Sequence, residues 1–134
     1  MSRRLLLDAN ILVALCDADH IHHARVREWF LRHGDGFATC PIVEGALVRW
    51  IARLEGRDGF AIAARELEKL AADPRHAFWP DALPYTQVRR HGVLGHSQAT
   101  DAYLAQLARY FEGGIATMDR GLAALHDDVA MWIG

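Results

Sequence analysis

The sequence predicts an α/β domain of three layers, with helices on both faces of a short-stranded, mainly parallel sheet. Two observations carry this. Short apolar runs recur without the alternation of a sheet wetted on one face, which suits buried parallel strands. Between them lie longer segments with apolar residues at helical spacing, so strand and helix alternate along the chain. At 134 residues the chain fits one domain, 1–134, and is long enough to bury an adequate core.

The elements follow in order. Arg4–Asp8 reads as a buried strand, and Asn10 can cap a helix beginning at Ile11. His23–His33 is a second helix, with Ala24, Val26, Trp29 and Phe30 as its apolar stripe; Gly34 and Gly36 end it. Phe37–Cys40 is the second strand. Pro41 suits the first turn of a helix running through Val43, Leu47 and Ile51 to about Leu54. Asp58 to Ala72 makes another helix, stopped by Asp73-Pro74, and Ala77–Trp79 is the third strand. Gln87 to His96 is loop-like. Ser97 opens a helix to about Phe111, ended by Gly113-Gly114. Gly114–Met118 is the fourth strand, Arg120–Leu125 a short helix and Val129–Ile133 the last strand.

Composition narrows the class without choosing a function. Apolar residues make up 51% and charged ones 24%, as in ordinary globular proteins. No apolar run approaches the ~18 residues of a membrane span. The basic start, Met1-Ser2-Arg3-Arg4, precedes a Leu5–Leu7 run too short for a signal-peptide core. Cys16 and Cys40 show no CxxC spacing, so a reducing cytoplasm is expected. A net charge of -2 does not suit a bulk nucleic-acid coat. The basic residues are nearly all arginine, Lys69 being the only lysine. Arginine suits phosphate, but it is also common in GC-rich genomes.

The chemistry sits in four acids. In a parallel α/β sheet, ligands bind beyond the carboxyl ends of the strands. Asp8 ends the first strand and Asp119 ends "GIATMD". Glu44 and Asp101 fall in the first turns of helices that open onto the same edge. Each alone has a bland reading as a helix cap or a partner of the helix dipole. Together they repel one another, and protonation or a cation is needed to make the set tolerable. Oxygen-only donors suit Mg²⁺ or Mn²⁺ better than zinc. A divalent ion with open positions suggests phosphoryl-transfer or phosphodiester chemistry. Among nucleophiles, Ser97 has only its neighbour His96 beside it, and no GxSxG elbow is present.

Other residues carry weaker signals. Arg49 and Arg53, four apart on the Glu44 helix, can grip RNA phosphates or form a solvated face. His96 lies just before the Asp101 turn, a candidate for substrate contact. His20, His22 and His23 look like a metal cluster, but no carboxylate or Cys completes a zinc spacing. Of the tryptophans, Trp29, Trp79 and Trp132 suit the core, and Trp50 is the one to test for base stacking.

Three segments resemble one family. They are "LLLDANILVAL", "ATCPIVEGALVRW" and "HSQATDAYLAQLARYFEGGIATMDRGLAAL", followed by a closing short strand. Together they resemble the PIN-domain ribonucleases, and among them the VapC-type toxins of bacterial toxin–antitoxin pairs. The resemblance covers nearly the whole chain. It implies a single PIN domain that hydrolyses RNA with Mg²⁺, Mn²⁺ being a substitute. It also implies an antitoxin from the neighbouring gene, with an exposed apolar groove for it between the early helices, and a homodimer. Asp8, Glu44, Asp101 and Asp119 match the family's catalytic acids, with Asp8, Asp101 and Asp119 as metal ligands. Asn10 and Thr117 match its supporting polar positions. The departure lies in "PIVEGALVR", where related chains vary and some lack the acid.

Two other classes share part of this pattern. A receiver or haloacid-dehalogenase phosphoryl-transfer domain needs a second acid near the first and a late lysine. Here position 10 is Asn, and Lys69 is mid-helix. A catalytically silent PIN-like module that binds RNA or a partner is the alternative; the presence of all four acids argues against it.

Overall fold

A computed structural model describes residues 3–33, 35–93 and 95–134. Met1, Ser2, Gly34 and Leu94 lie outside the described residues, and with them the first two positions of the basic start, the Gly34 helix stop and one position of the predicted loop. Among the described residues five strands form one sheet: β1 (Leu5–Leu7), β2 (Phe37–Thr39), β3 (His76–Phe78), β4 (Gly114–Thr117) and β5 (Ala130–Trp132). Their order is β3-β2-β1-β4-β5, and every neighbouring pair is parallel. The helices are α1 (Ala9–Cys16), α2 (His23–Arg32), α3 (Pro41–Glu55), α4 (Gly59–Ala71), α5 (Ala99–Tyr110) and α6 (Arg120–Leu125).

The strand order explains the layers. From β1 the chain steps outward to β2 and β3, then returns across to β4 and continues to β5. Right-handed crossovers put helices of opposite travel on opposite faces. Accordingly α1 packs on both α2 and α3, and α3 on α4, while α5 and α6 pack on β4 and α6 also on β5. The reversal lies between β1 and β4, which pair as Leu5↔Gly114, Leu6↔Ile115 and Leu7↔Ala116. Such a switch point opens a crevice at the carboxyl ends of the two strands.

Burial follows the apolar pattern. Leu5, Leu6 and Leu7 are fully buried, as are Ile11 and Leu12 of α1. Each such leucine or isoleucine is worth roughly 1.5–3 kcal/mol against leaving it in water. Helix α2 buries Val26 and Phe30; α3 buries Val43, Leu47 and Ile51, each four apart, and so turns the rest of its surface outward.

Three expectations are corrected in detail. Asp8, not Asn10, caps α1: the helix begins one residue after β1, and Asp8 Oδ1 accepts from the Ala9 N–H at 2.8 Å. Asn10 is then inside the first turn and bonds elsewhere. The segment from His96 to Gln98 is a 3₁₀ turn, and α5 proper starts at Ala99. Helix α5 ends through Glu112, a non-glycine residue at φ 56, with Gly113 N–H donating to Ala108 O at 2.9 Å. Gly113 serves close approach instead, since a Cβ there would lie 2.5 Å from the Arg4 carbonyl oxygen.

The three early histidines build a turn. His20 Nδ1 accepts from the His22 backbone N–H at 3.1 Å, and His23 Nδ1 lies 2.8 Å from the Ala14 carbonyl, to which it donates. Among the described residues, no helix is long and apolar enough to cross a membrane.

Candidate active site

Asp8 emerges from β1 directly beside β4, and its backbone N–H extends the ladder to Ala116 O at 2.9 Å. The residue is only 5% exposed. Oδ1 takes the Ala9 N–H, and Oδ2 accepts from the Thr117 hydroxyl at 2.6 Å. Thr117 is itself fully buried and serves three partners. Besides donating to Asp8, its Oγ1 accepts from the Asp119 N–H at 3.0 Å and from Asn10 Nδ2 at 3.4 Å. Asn10 Oδ1 in turn accepts from the Met118 N–H at 3.1 Å. The start of α1 and the end of β4 are thereby stitched together through side chains.

Asp119 caps α6, with Oδ1 accepting from the Leu122 N–H at 3.1 Å. Asp101 is half-buried in the first turn of α5. Asp101 lies in the field of Asp8 and Asp119, and Asp8 in that of Asp119. Burial pushes the Asp101 carboxyl up to about 6, and the negative charges of Asp8 and Asp119 add to the rise. Burial also raises Asp8, with Asp119 adding and the Thr117, Ala9 and Asn10 hydrogen bonds opposing. Three acids from β1, α5 and β4 therefore share one negative field at the switch point.

Glu44 is placed differently. Its Oε2 accepts from the Thr39 hydroxyl at 2.7 Å. With that proton committed, Thr39 Oγ1 accepts from His76 Nε2 at 2.8 Å. The charge of Glu44 acts on His76 and Cys40, and it is not among the groups that shift Asp8 or Asp101.

The donor set fits a hard divalent cation. It is oxygen-only, anionic and mutually repelling. Among the described residues, no three His, Cys, Asp or Glu side chains are already gathered into a metal cage. Magnesium does not require one, because it keeps several waters and takes one or two carboxylates.

Two clefts flank the acids. One, of about 280 Å³, is walled by Ser97, Gln98, Asp101, Asp119, Leu122 and His126 among others. The other, of about 360 Å³, includes Asn10, His20, Arg49, Trp50 and Arg53. Both arginines are exposed there, and Trp50 is anchored by an Nε1–H bond to Asp17 at 2.9 Å. His96 is exposed on the 3₁₀ turn whose next two residues line the first cleft. Trp79 is core, stacked on Phe111, while Trp132 is 44% exposed with Arg120 over its ring. Sequence reasoning passed over Thr39, His76 and His126; the contacts of all three span strands or helices, and no local spacing signals them.

A comparison with protein families decides the assignment: the PIN domain model matches residues 5–127. The chain belongs to the PIN-domain family. It is 51% identical over 130 residues to ribonuclease VapC29 of Mycobacterium tuberculosis, covering 96% of each chain. Ribonuclease VapC38 of the same species is 40% identical over 124 residues, covering 90% of this chain and 88% of its own. Among solved structures, M. tuberculosis VapC20, described as a sarcin-ricin loop cleaving toxin, superposes with a TM-score of 0.69. It covers 90% of this chain and 93% of its own at 15% identity, a likeness of fold. The all-parallel sheet flanked by helices agrees with the three-layer α/β fold that the sequence predicts.

Proposed function

We propose that this PIN-domain protein is an Mg²⁺-dependent endoribonuclease acting as the toxin of a toxin–antitoxin pair, with Mn²⁺ able to substitute. The observation that carries the reading is the electrostatic coupling of Asp8, Asp101 and Asp119 at the β1/β4 switch point. The names of its similar relatives, ribonucleases VapC29 and VapC38, support the activity.

Asp8, Asp101 and Asp119 would hold the ion, and Glu44 completes the catalytic set on the β2 side. Bound there, a divalent cation polarises a phosphate oxygen and lowers the pKa of a coordinated water. The chain's own residues do the rest. Thr117 aims Asp8 and favours its ionised form by donating to Oδ2. Asn10 holds the end of β4 against α1, which keeps Asp119 in range. Arg49 and Arg53 supply the cationic groove in which phosphates of the strand lie. His96 stands at the far lip. The partners of this reading are an RNA substrate, a cognate antitoxin and a second copy of the chain.

The test is incubation of purified protein with total RNA over an Mg²⁺ titration, followed by mapping of the new ends. Discrete cleavage that EDTA abolishes is expected. Expression is also expected to arrest growth, and Asp101→Asn to relieve the arrest. RNA left intact at every Mg²⁺ and Mn²⁺ concentration would mark a silent binding module instead.

A further inference from the structure

The cleft of about 360 Å³ beside α3 holds more than its two arginines. Trp50 is half-buried in its wall, and the ring is fixed in place. Its Nε1–H donates to Asp17 Oδ2 at 2.9 Å, while Asp17 Oδ1 accepts from the Asp19 N–H at 3.0 Å. His20 puts a second ring into the same wall, its centroid 5.8 Å from that of Trp50 and tilted by 50°. Ala9, Val13 and Ala46 add short apolar side chains, and among the described residues no acid lines the cleft. The result is an open slot with an aromatic wall, reachable from solvent.

Charge surrounds this slot. Arg49 and Arg53 are exposed in its lining, and neither side chain has a hydrogen bond or ion pair among the described residues. Gly45 follows Glu44, and a Cβ there would lie 3.3 Å from Arg49 Nη1, so the guanidinium folds back along α3 toward the Glu44 turn. At the other side, Ala9 and Asn10 directly follow Asp8, which sets the slot next to the acids. A lone phosphate would meet the arginines and leave the aromatic wall unused. A nucleotide offers both a flat π-face and flanking phosphates. We infer that this cleft is a nucleobase subsite: one base of a single-stranded RNA lies on Trp50, and the phosphates beside it meet Arg49 and Arg53. Stacking of this kind tolerates every base, so the subsite anchors the strand beside the acids without reading its sequence. Because Asp17 already fixes the ring, little side-chain freedom is lost when a base arrives. The inference rests on the ribonuclease reading for its substrate class, but its test does not need cleavage.

The test uses the full chain in EDTA and reads anisotropy with two labelled single strands. One is an RNA of mixed sequence; the other has the same length and backbone but no bases. Both bring the same phosphates, and only the first brings π-faces. The wild type is expected to prefer the base-bearing strand. Trp50→Leu keeps an apolar side chain and removes the flat ring. It is expected to weaken RNA binding by about fivefold to 150-fold, the range of one base–aromatic stack, with the abasic strand and the salt slope unchanged. Trp50→Phe restores part of the affinity. Ala46→Leu fills the slot while leaving Trp50 and its bond to Asp17 in place, and is expected to lose RNA affinity likewise, so the outcome does not hang on how Trp50→Leu folds. RNA affinity unchanged in folded Ala46→Leu overturns the inference, as does an equal loss on both strands; a cleft that serves a protein partner instead gives the unchanged result. Base preference lost in these variants of a chain that never cuts RNA would sink the nuclease reading and leave this one standing. Wild type that cuts RNA yet holds both strands equally overturns this inference and leaves the nuclease reading. Wild type that binds neither strand overturns it as well.

Discussion

The Thr117 hydroxyl donates to Asp8 Oδ2 across the β1–β4 seam, a 2.6 Å bond between residues 109 positions apart in the chain. It is the contact that makes a buried carboxylate at the end of β1 usable. Burial alone drives Asp8 toward its neutral form, and the hydroxyl pulls it back.

Replacing Thr117 by Val keeps the shape and removes the donor. A hydrogen bond to a charged group is worth about 1.5–3 kcal/mol, and losing a metal-orienting partner costs about tenfold to a hundredfold in affinity or activity. Thr117→Val is expected to raise the Mg²⁺ needed for half-maximal cleavage within that range, while Thr117→Ser stays near wild type. Identical Mg²⁺ curves for Val and Thr would contradict the role.

Proton and metal compete at Asp101. Its folded carboxyl titrates at about 6 against 3.8 for the free group, so without metal the folded state holds this proton more tightly. Its contribution to stability is therefore best below about pH 4 and declines as pH rises through 4 to 6. A bound cation removes that cost, since only the ionised carboxylate ligates. The rise in melting temperature on adding Mg²⁺ is expected to be larger at pH 7.5 than at pH 5. Asp101→Asn is expected to raise the metal-free melting temperature at pH 7.5 and to flatten the Mg²⁺ response.

Arg49 and Arg53 are exposed on one groove, and their expected role is uniform phosphate contact. Each such contact to a single strand adds about 0.7 to the slope of log affinity against log salt. Arg49→Ala with Arg53→Ala should flatten that slope by up to about 1.4 and weaken RNA binding across sequences. An unchanged slope would return both residues to a solvated helix face.

Glu112 occupies the left-handed region at φ 56, at the exposed end of α5. A side chain there costs roughly 1–2 kcal/mol that glycine avoids, less the extra freedom glycine gains when unfolded. Glu112→Gly is expected to stabilise by up to about 1 kcal/mol in urea unfolding, with RNA cleavage unaltered. A loss of stability would show that the Glu112 side chain holds the turn.

Much of this was legible in the chain, for identifiable reasons. The runs ending in Asp8 and Asp119 are buried strands that stop at a carboxylate, and parallel α/β sheets expose those stops on one edge. Capping preference alone misplaced the start of α1. Asn10 is a good cap by type, but its amide is drawn to Met118 and Thr117 on another strand. Likewise Glu44 sits in the expected first turn, and its rotamer answers to Thr39 and His76 across β2 and β3. Glycines at 113 and 114 looked like a helix stop, whereas Gly113 is needed for the close approach to Arg4. Local chemistry located the elements; long-range hydrogen bonds decided which way the polar side chains turned.

The central claim is that Asp8 works as one of a coupled set of metal-binding carboxylates. Its most direct measurement is the rate of RNA cleavage by wild type and Asp8→Asn across an Mg²⁺ titration, with melting curves taken alongside. The expected result is a saturable Mg²⁺ dependence in wild type and a fall of at least about a hundredfold in the variant, with the fold intact. Cleavage by folded Asp8→Asn at the wild-type rate and the wild-type Mg²⁺ midpoint would contradict it.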